Sequence, residues 1–144
     1  MAQHRAWRPA LCLTLLVAGL AGCASDRPGA AAADATARDF YRAISDGDGA
    51  KACELLAPAA VQSLEDDADQ PCDQAILGGD VGDTLTSRAD DAADPAAATA
   101  GREAQVRLTT DVVFLTVSGH SWLITAAGCD ARPNRPYDCA LEGS

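Results

Sequence analysis

Apolar residues recur every three or four positions between residues 34 and 45, which predicts an amphipathic helix there. Asp34 is placed to cap its first turn, because a carboxylate accepts hydrogen bonds from the free amides at a helix start. Its inward face is formed by Ala37, Phe40, Tyr41 and Ile44.

Shorter helices are predicted to follow. Asp48 is placed as the N-cap of a second helix over residues 50–56. Pro58 suits the first turn of a third helix, because a proline there gives up no hydrogen bond. Asp73 is placed to cap a short fourth helix just after Cys72.

The pattern changes to alternation in the C-terminal part. Ala104, Val106 and Leu108 alternate with polar residues, which predicts a half-buried strand. Residues 112–117 are apolar nearly throughout and predict a more central strand, and residues 122–127 predict a third. Phe114 and Trp122 are assigned to the core. Helices followed by an antiparallel meander predict an α+β fold, with the helices on one face of the sheet.

The segment between these halves, residues 78–101, is rich in Asp, Ala and Gly. Residues 84–88 predict one weak strand, and residues 88–101 predict a mobile acidic loop. The tail over residues 132–138 is rich in Pro and Arg. We expect Cys139 to attach this tail to the end of the last strand at Cys129.

A short basic region with Arg5 and Arg8 precedes an apolar run over residues 10–20. This run is too short to span a bilayer of roughly 30 Å. It ends in Leu20-Ala21-Gly22-Cys23, which resembles the lipobox of bacterial lipoprotein signal peptides at every position. The resemblance implies cleavage before Cys23 and a diacylglyceryl thioether on its Sγ.

Two other interpretations of the N-terminus exist: a plain secretory signal with an ordinary cysteine, and a buried helix over residues 11–20. The charge asymmetry and the small-residue exit favour the lipoprotein. The chain then divides into a signal peptide (1–22), a lipidated flexible tether (23–33) and one α+β domain (34–144). Because two acyl chains anchor a protein stably, we expect it on the outer, extracytoplasmic face of the cell membrane.

The charge of the chain restricts its partners. The 144 residues carry a net charge of −10, and removing 22 residues that include Arg5 and Arg8 leaves 122 residues with −12. An acidic surface excludes nucleic acid as a natural partner. Because anionic lipid headgroups would repel the acidic domain, the diacylglyceryl group on Cys23 would be its attachment to the membrane.

Six cysteines become four free ones after export, since Cys12 leaves with the signal and Cys23 is lipidated. An even number in an oxidising compartment predicts disulfides, and three pairings are possible. We favour Cys53–Cys72 and Cys129–Cys139, because sequence neighbours close the shorter loops. Each bridge would stabilise the fold by roughly 3 kcal/mol. A four-cysteine zinc site is the alternative, but no C-x-x-C spacing is present.

From residue 34 to the end, the order of segments also resembles small actinobacterial lipoproteins of unassigned function. These look like members of the nuclear-transport-factor-two-like (cystatin-like) superfamily. The resemblance implies a curved, cone-like sheet wrapped on the helices, often with a pocket between the two layers, and it carries over no catalytic residue. The segments that carry it are Phe40-Tyr41-Arg42-Ala43-Ile44, Gly47-Asp48, Cys53-Glu54-Leu55-Leu56-Ala57-Pro58, Ala104-Gln105-Val106-Arg107-Leu108, Val113-Phe114-Leu115, Trp122-Leu123-Ile124-Thr125-Ala126-Ala127-Gly128-Cys129 and Pro136-Tyr137-Asp138-Cys139.

Four residues are candidates for such a pocket: Asp39, Tyr41, His120 and Trp122. In enzymes of this superfamily an Asp or His in the cone transfers protons, so Asp39, Tyr41 and His120 are the possible proton-transfer groups. The simpler interpretation makes Asp39 a solvent-facing side chain, Tyr41 half-buried and His120 a solvated turn residue.

The acidic residues between positions 65 and 83 raise the possibility of calcium, but no D-x-D-x-D-G loop accompanies them, and a solvated loop is favoured. No G-x-S-x-G, P-loop, dinucleotide fingerprint or H-E-x-x-H occurs. The sequence therefore predicts no metal, no cofactor and no catalytic set.

We expect a membrane-tethered, non-enzymatic module that binds a small apolar ligand or a protein. A small hydrolase or isomerase, and an envelope structural or stress factor without a ligand, are the alternatives.

Overall fold

A computed structural model describes residues 27–90 and 92–143. It is an α+β fold, which confirms the predicted class: helices come first and a five-stranded antiparallel sheet follows, with the strands in the order β1-β2-β3-β4-β5. The helices are α1 (Ala30–Ser45), α2 (Gly49–Glu54), α3 (Pro58–Ala68), α4 (Cys72–Ala75) and α5 (Gly79–Ala89). The strands are β1 (Ala96–Ala100), β2 (Glu103–Arg107), β3 (Val112–Ser118), β4 (Ser121–Arg132) and β5 (Arg135–Glu142).

The first helix begins earlier than its sequence pattern predicts. α1 starts at Ala30, inside the segment expected to be a tether, and Ala33 is fully buried. Gly29 is the N-cap residue, so Asp34 lies within the helix and does not cap it. The buried face extends the predicted stripe, because Ala33, one turn before Ala37, continues the same spacing.

The short helices largely follow the prediction. The Asp48 carboxylate accepts a hydrogen bond from the Lys51 amide at 3.0 Å, which confirms it as an N-cap. Pro58 occupies the first turn of α3. The prediction that Asp73 caps α4 is wrong, because Pro71 is the N-cap residue and Asp73 lies in the first turn of the helix. A disulfide joins Cys53 of α2 to Cys72 of α4.

The prediction of a weak strand over residues 84–88 is wrong, because this segment belongs to α5. Leu85 is fully buried, and Gly82 lies against the Leu77 backbone, where a Cβ would come closer than 3.0 Å to the carbonyl group. Close packing of a glycine-containing face therefore stabilises a helix that local propensity does not favour.

The sheet has two edge strands that the sequence pattern does not reveal. β1 lies in the segment predicted as a loop, residues 88–101, and pairs along its length with β2. Asp91 of that segment is outside the described residues. β5 forms from the predicted tail and pairs with β4, with Cys129 directly opposite Cys139. The predicted three-stranded meander is therefore the centre of a five-stranded one.

The core lies between the helices and one face of the sheet. Val106, Val113, Leu115 and Ile124 are fully buried there, with Phe40 and Tyr41 of α1. No helix within the described residues is long and apolar enough to cross a bilayer. The predicted signal peptide and Cys23 lie outside the described residues, and the cone-like curvature stays a prediction.

Candidate functional site

The outer face of the sheet, opposite the helices, carries an open groove of about 660 Å³. Strand alternation explains its floor: Val113, Leu115 and Val117 of β3 point into the core, so Phe114 projects to the other side. Phe114 lines the groove and is half-buried, so its assignment to the core is wrong. The volume is in the range of sites that hold small organic molecules.

The hairpin of β4 and β5 supplies the second wall of the groove. The Tyr137 ring meets the Phe114 ring edge to face, with centroids 5.1 Å apart. Gln105 Nε2 of β2 donates a hydrogen bond to the Tyr137 hydroxyl at 3.1 Å. β2 and β5 are three strand spacings apart, about 14 Å in a flat sheet. We infer that the hairpin bends over the outer face, because the two side chains meet.

The bend has a local cause in β4. Gly128 has φ +69°, a left-handed conformation that glycine adopts without a Cβ penalty. The pairing register of β4 with β5 also shifts further along the hairpin, between Asp130 and Arg132. These irregularities redirect the distal half of β4, as β-bulges do.

A buried carboxylate holds this bend in place. Asp111 lies in the β2–β3 connection, and its side chain is fully buried. It accepts hydrogen bonds from the amides of Gly128 (3.0 Å) and Cys129 (2.6 Å) and from the Tyr41 hydroxyl of α1. The carboxylate therefore ties the first helix to the bent part of β4.

Arg88 of α5 neutralises that carboxylate. Its guanidinium donates to Asp111 Oδ1 at 3.0 Å and to Asp130 Oδ2 at 2.8 Å. It also donates to the main-chain oxygens of Thr110 and Cys129. Only 13% of its side chain is exposed, so the arginine closes the buried cluster at the surface. We call Tyr41, Arg88, Asp111 and Asp130 the anchor cluster.

The anchor cluster positions the hairpin, and the carboxylate at its centre has no free lone pair. A carboxylate offers about four lone-pair sites, and Asp111 receives four donors. Burial first, and then the Asp111 carboxylate, raise the pKa of the Tyr41 phenol well above its ordinary value. Tyr41 therefore stays protonated as a donor, and the cluster is a frame for the groove.

This pKa shift predicts that Tyr41 makes the fold labile at high pH. An unfolded tyrosine titrates near pH ~10, so above that pH the unfolded chain releases a proton that the folded chain retains. The contribution of Tyr41 is complete below about pH 10 and falls as the pH rises, by up to about 1.4 kcal/mol per pH unit. Urea unfolding of wild type and Tyr41→Phe across this range should show a shallower decline in the variant.

Tyr137→Phe is the matched control, since it also removes a tyrosine hydroxyl, but one that lies in the outer groove and not in the anchor cluster. It leaves Tyr41 and Asp111 in place, so the decline at high pH that Tyr41 causes should remain. Equal slopes for wild type and Tyr41→Phe would contradict the prediction.

Both favoured cysteine pairs are disulfides in the structure, Cys53–Cys72 and Cys129–Cys139. The second links opposite residues of β4 and β5 just beyond Gly128. Cys139 also lines the groove. This bridge therefore joins the bent hairpin covalently at the place where Asp111 holds it.

The four predicted pocket residues lie in separate environments. Asp39 is exposed on α1 and pairs with Arg42 at 2.9 Å. Tyr41 belongs to the anchor cluster, and His120 lies in the exposed turn between β3 and β4. Trp122 is buried, and its Nε1 donates to the Gly29 carbonyl at 3.1 Å. None of the four lines the groove.

The groove and its frame depend on residues to which sequence analysis assigned no site role: Arg88, Gln105, Asp111, Phe114 and Tyr137. Asp111 stands in a short polar connection, where an aspartate is ordinarily a solvated turn residue. Phe114 stands in a strand that is apolar nearly throughout, so the sequence pattern does not show which face of the sheet its side chain occupies. One usable signal was Tyr137, an aromatic residue close to a cysteine that pairs back to the preceding strand.

The described residues do not bring three or more carboxylate, histidine or thiol groups together as a metal site. The acidic stretch begins within α3 at Glu65, whose carboxylate accepts a hydrogen bond from the Cys72 amide at 2.9 Å. That contact ties α3 to the start of α4, next to the first disulfide.

Comparison with known proteins adds no relative to this description. No protein-family model, curated protein or solved structure matches the chain.

Proposed function

We propose that the protein is a lipid-anchored, non-enzymatic binding module on the outer face of the cell membrane, and that it takes a small apolar ligand into the outer groove. The groove itself is the observation that carries this proposal. It combines an apolar floor, Phe114 with Tyr137, and a few polar side chains, among them Gln105, on a sheet face that none of the helices α1 to α5 covers. Sites for small molecules typically have this composition.

The frame of the groove supports binding over catalysis. The Asp111 carboxylate accepts four hydrogen bonds, including one from Arg88, so it has no free position for a reacting group. The candidate proton-transfer groups Asp39, Tyr41 and His120 are not among its lining residues. A rigid groove lowers the entropic cost of binding, because few side chains have to become ordered.

The start of α1 supports a close attachment to the membrane. With Cys23 lipidated, the tether before Ala30 has seven residues and reaches at most about 25 Å. Trp122 holds Gly29 beside the β3–β4 hairpin, so this end of the domain would face the bilayer. The net charge of −12 would repel anionic lipid headgroups and keep the domain off the surface.

The anchor is tested by Cys23→Ser. Without the thiol no lipid is attached, so we expect release into the medium or an uncleaved precursor. Detergent phase partitioning, with mass spectrometry of the N-terminal peptide, measures both outcomes. A cleaved variant that still partitions into detergent would overturn the anchor.

The groove is tested with 1-naphthalenemethanol, a neutral aromatic probe. The full protein in phosphatidylcholine nanodiscs is titrated by calorimetry, with empty nanodiscs as the blank. Ala98 is exposed and lines the groove, so Ala98→Tyr should fill it and weaken binding by at least about tenfold, or about 1.4 kcal/mol.

Ala35→Tyr, on the exposed side of α1, is the matched control and should bind as wild type does. Asp39→Ala and His120→Ala should also leave binding unchanged. Absence of binding, or equal binding by Ala98→Tyr, would refute the groove as the site.

A further inference from the structure

The groove has an uncompensated negative charge. Its lining includes two ionisable carboxylates, Glu103 and Glu142, and no lysine, arginine or histidine. Both glutamates are exposed, and neither forms an ion pair with another described residue. An occupant of the groove would therefore meet an apolar floor and two unneutralised carboxylates.

The strand register places these carboxylates on either side of the aromatic floor. Gln105, Phe114, Ala126 and Glu142 are consecutive partners in one row that crosses β2, β3, β4 and β5. Glu142 ends this row on the β5 side. On the β2 side, Glu103 stands two residues before Gln105 and so projects from the same face of the strand.

Glu103 is also held at the groove rather than left to rotate freely. Its Oε1 accepts a hydrogen bond from the Thr116 hydroxyl of β3 at 2.9 Å. Thr116 Oγ1 in turn lies 3.4 Å from the Arg102 carbonyl oxygen, at the β1–β2 turn. One carboxylate oxygen of Glu103 stays available to a ligand, since a carboxylate accepts several hydrogen bonds.

We propose that the ligand of the groove is an organic cation: a planar apolar ring or chain that carries an amine or guanidinium group. The apolar part would pack on Phe114 and Tyr137, whose ring faces also attract cations. The cationic nitrogen would pair with Glu103 or Glu142. This inference rests on the proposed function, because it requires the groove to be the binding site.

Charge complementarity is what selects this ligand over a neutral or anionic one. The net charge of −12 after signal removal raises the local concentration of cations and lowers that of anions. An exposed ion pair changes affinity only modestly, but two carboxylates beside one small groove act in the same direction. We expect a preference of about fivefold to tenfold for a cation over its neutral analogue.

The test compares three naphthalene compounds that differ in charge. These are the cation 1-naphthylmethylamine, which is protonated at neutral pH, the neutral alcohol 1-naphthalenemethanol, and the anion of 1-naphthaleneacetic acid (the acetate). The full protein in phosphatidylcholine nanodiscs is titrated with each one at low salt. The amine should bind about fivefold to tenfold more tightly than the alcohol, and the acetate should bind most weakly. Raising the salt concentration should reduce these differences.

The variant Glu103→Gln/Glu142→Gln should bind the amine and the alcohol equally. Its matched control is Asp46→Asn/Asp83→Asn, which removes two exposed, unpaired charges that do not line the groove and should keep the preference. Stronger binding of the alcohol or the acetate, or a preference that survives in the first variant, would overturn the inference and leave the groove as a site. If none of the three compounds binds, the proposed function fails as well.

Discussion

Replacing Asp111 with asparagine is expected to lower the free energy of unfolding by about 3–5 kcal/mol. The side chain has nearly the same shape, but an NH2 group replaces one carboxylate oxygen, and this group donates hydrogen bonds and cannot accept them. Tyr41, Gly128, Cys129 and Arg88 all donate to Asp111, so at least one donor would face another donor in a buried place. Arg88 would also lose its buried counter-ion. Urea unfolding at neutral pH measures the change.

Asp130→Asn is the matched control for this prediction. Asp130 pairs with the same arginine, but 73% of its side chain is exposed. Its loss should therefore change stability by less than about 1 kcal/mol. A similar small effect for Asp111→Asn would show that the anchor cluster does not stabilise the fold.

Replacing Gly82 with alanine is expected to destabilise the protein by about 3 kcal/mol. In an open helix the same change is favourable by about 1 kcal/mol, because alanine has the higher helix propensity. In α5 the new Cβ would lie closer than 3.0 Å to the carbonyl carbon and oxygen of Leu77. Main-chain atoms cannot rotate away, so α5 would have to shift, and Arg88 would shift with it.

Gly29→Ala is the control, because a Cβ at Gly29 meets no atom within 4 Å. It should change stability by less than about 1 kcal/mol. Thermal unfolding of the two variants and of wild type measures the difference in stability. A Gly82→Ala protein at least as stable as wild type would show that α5 tolerates displacement from Leu77.

The comparison of α1 with α5 shows which helices a sequence pattern can reveal. α1 presents Phe40, Tyr41 and Ile44 at helical spacing, and this apolar stripe is visible without any structure. α5 has only Val81 and Leu85 as larger aliphatics among Asp, Gly and Thr. Its helical form depends on the burial of Leu85 and on the pairing of Arg88 with Asp111, which are made only after the chain has folded.

The edge strands β1 and β5 also lack a sequence pattern that predicts a strand, because they too depend on contacts with distant parts of the chain. β1 reads Ala-Ala-Ala-Thr-Ala, a composition that does not favour a strand by itself. It forms because β2 offers unpaired main-chain groups along its length. β5 contains Pro136, which weakens a prediction of strand, yet its pairing with β4 is specified by the disulfide between Cys129 and Cys139.

The sequence by itself determined the α+β order, the periodic helices, the central strands and the favoured cysteine pairs. These features depend on hydrophobic spacing and on short loops, which are local properties of a chain. The tertiary structure alone decided that Phe114 faces outward, that Asp111 is buried with four donors and that the hairpin carries Tyr137 over the outer face. Each of these depends on residues far apart in sequence, so the groove exists only once the layers have packed.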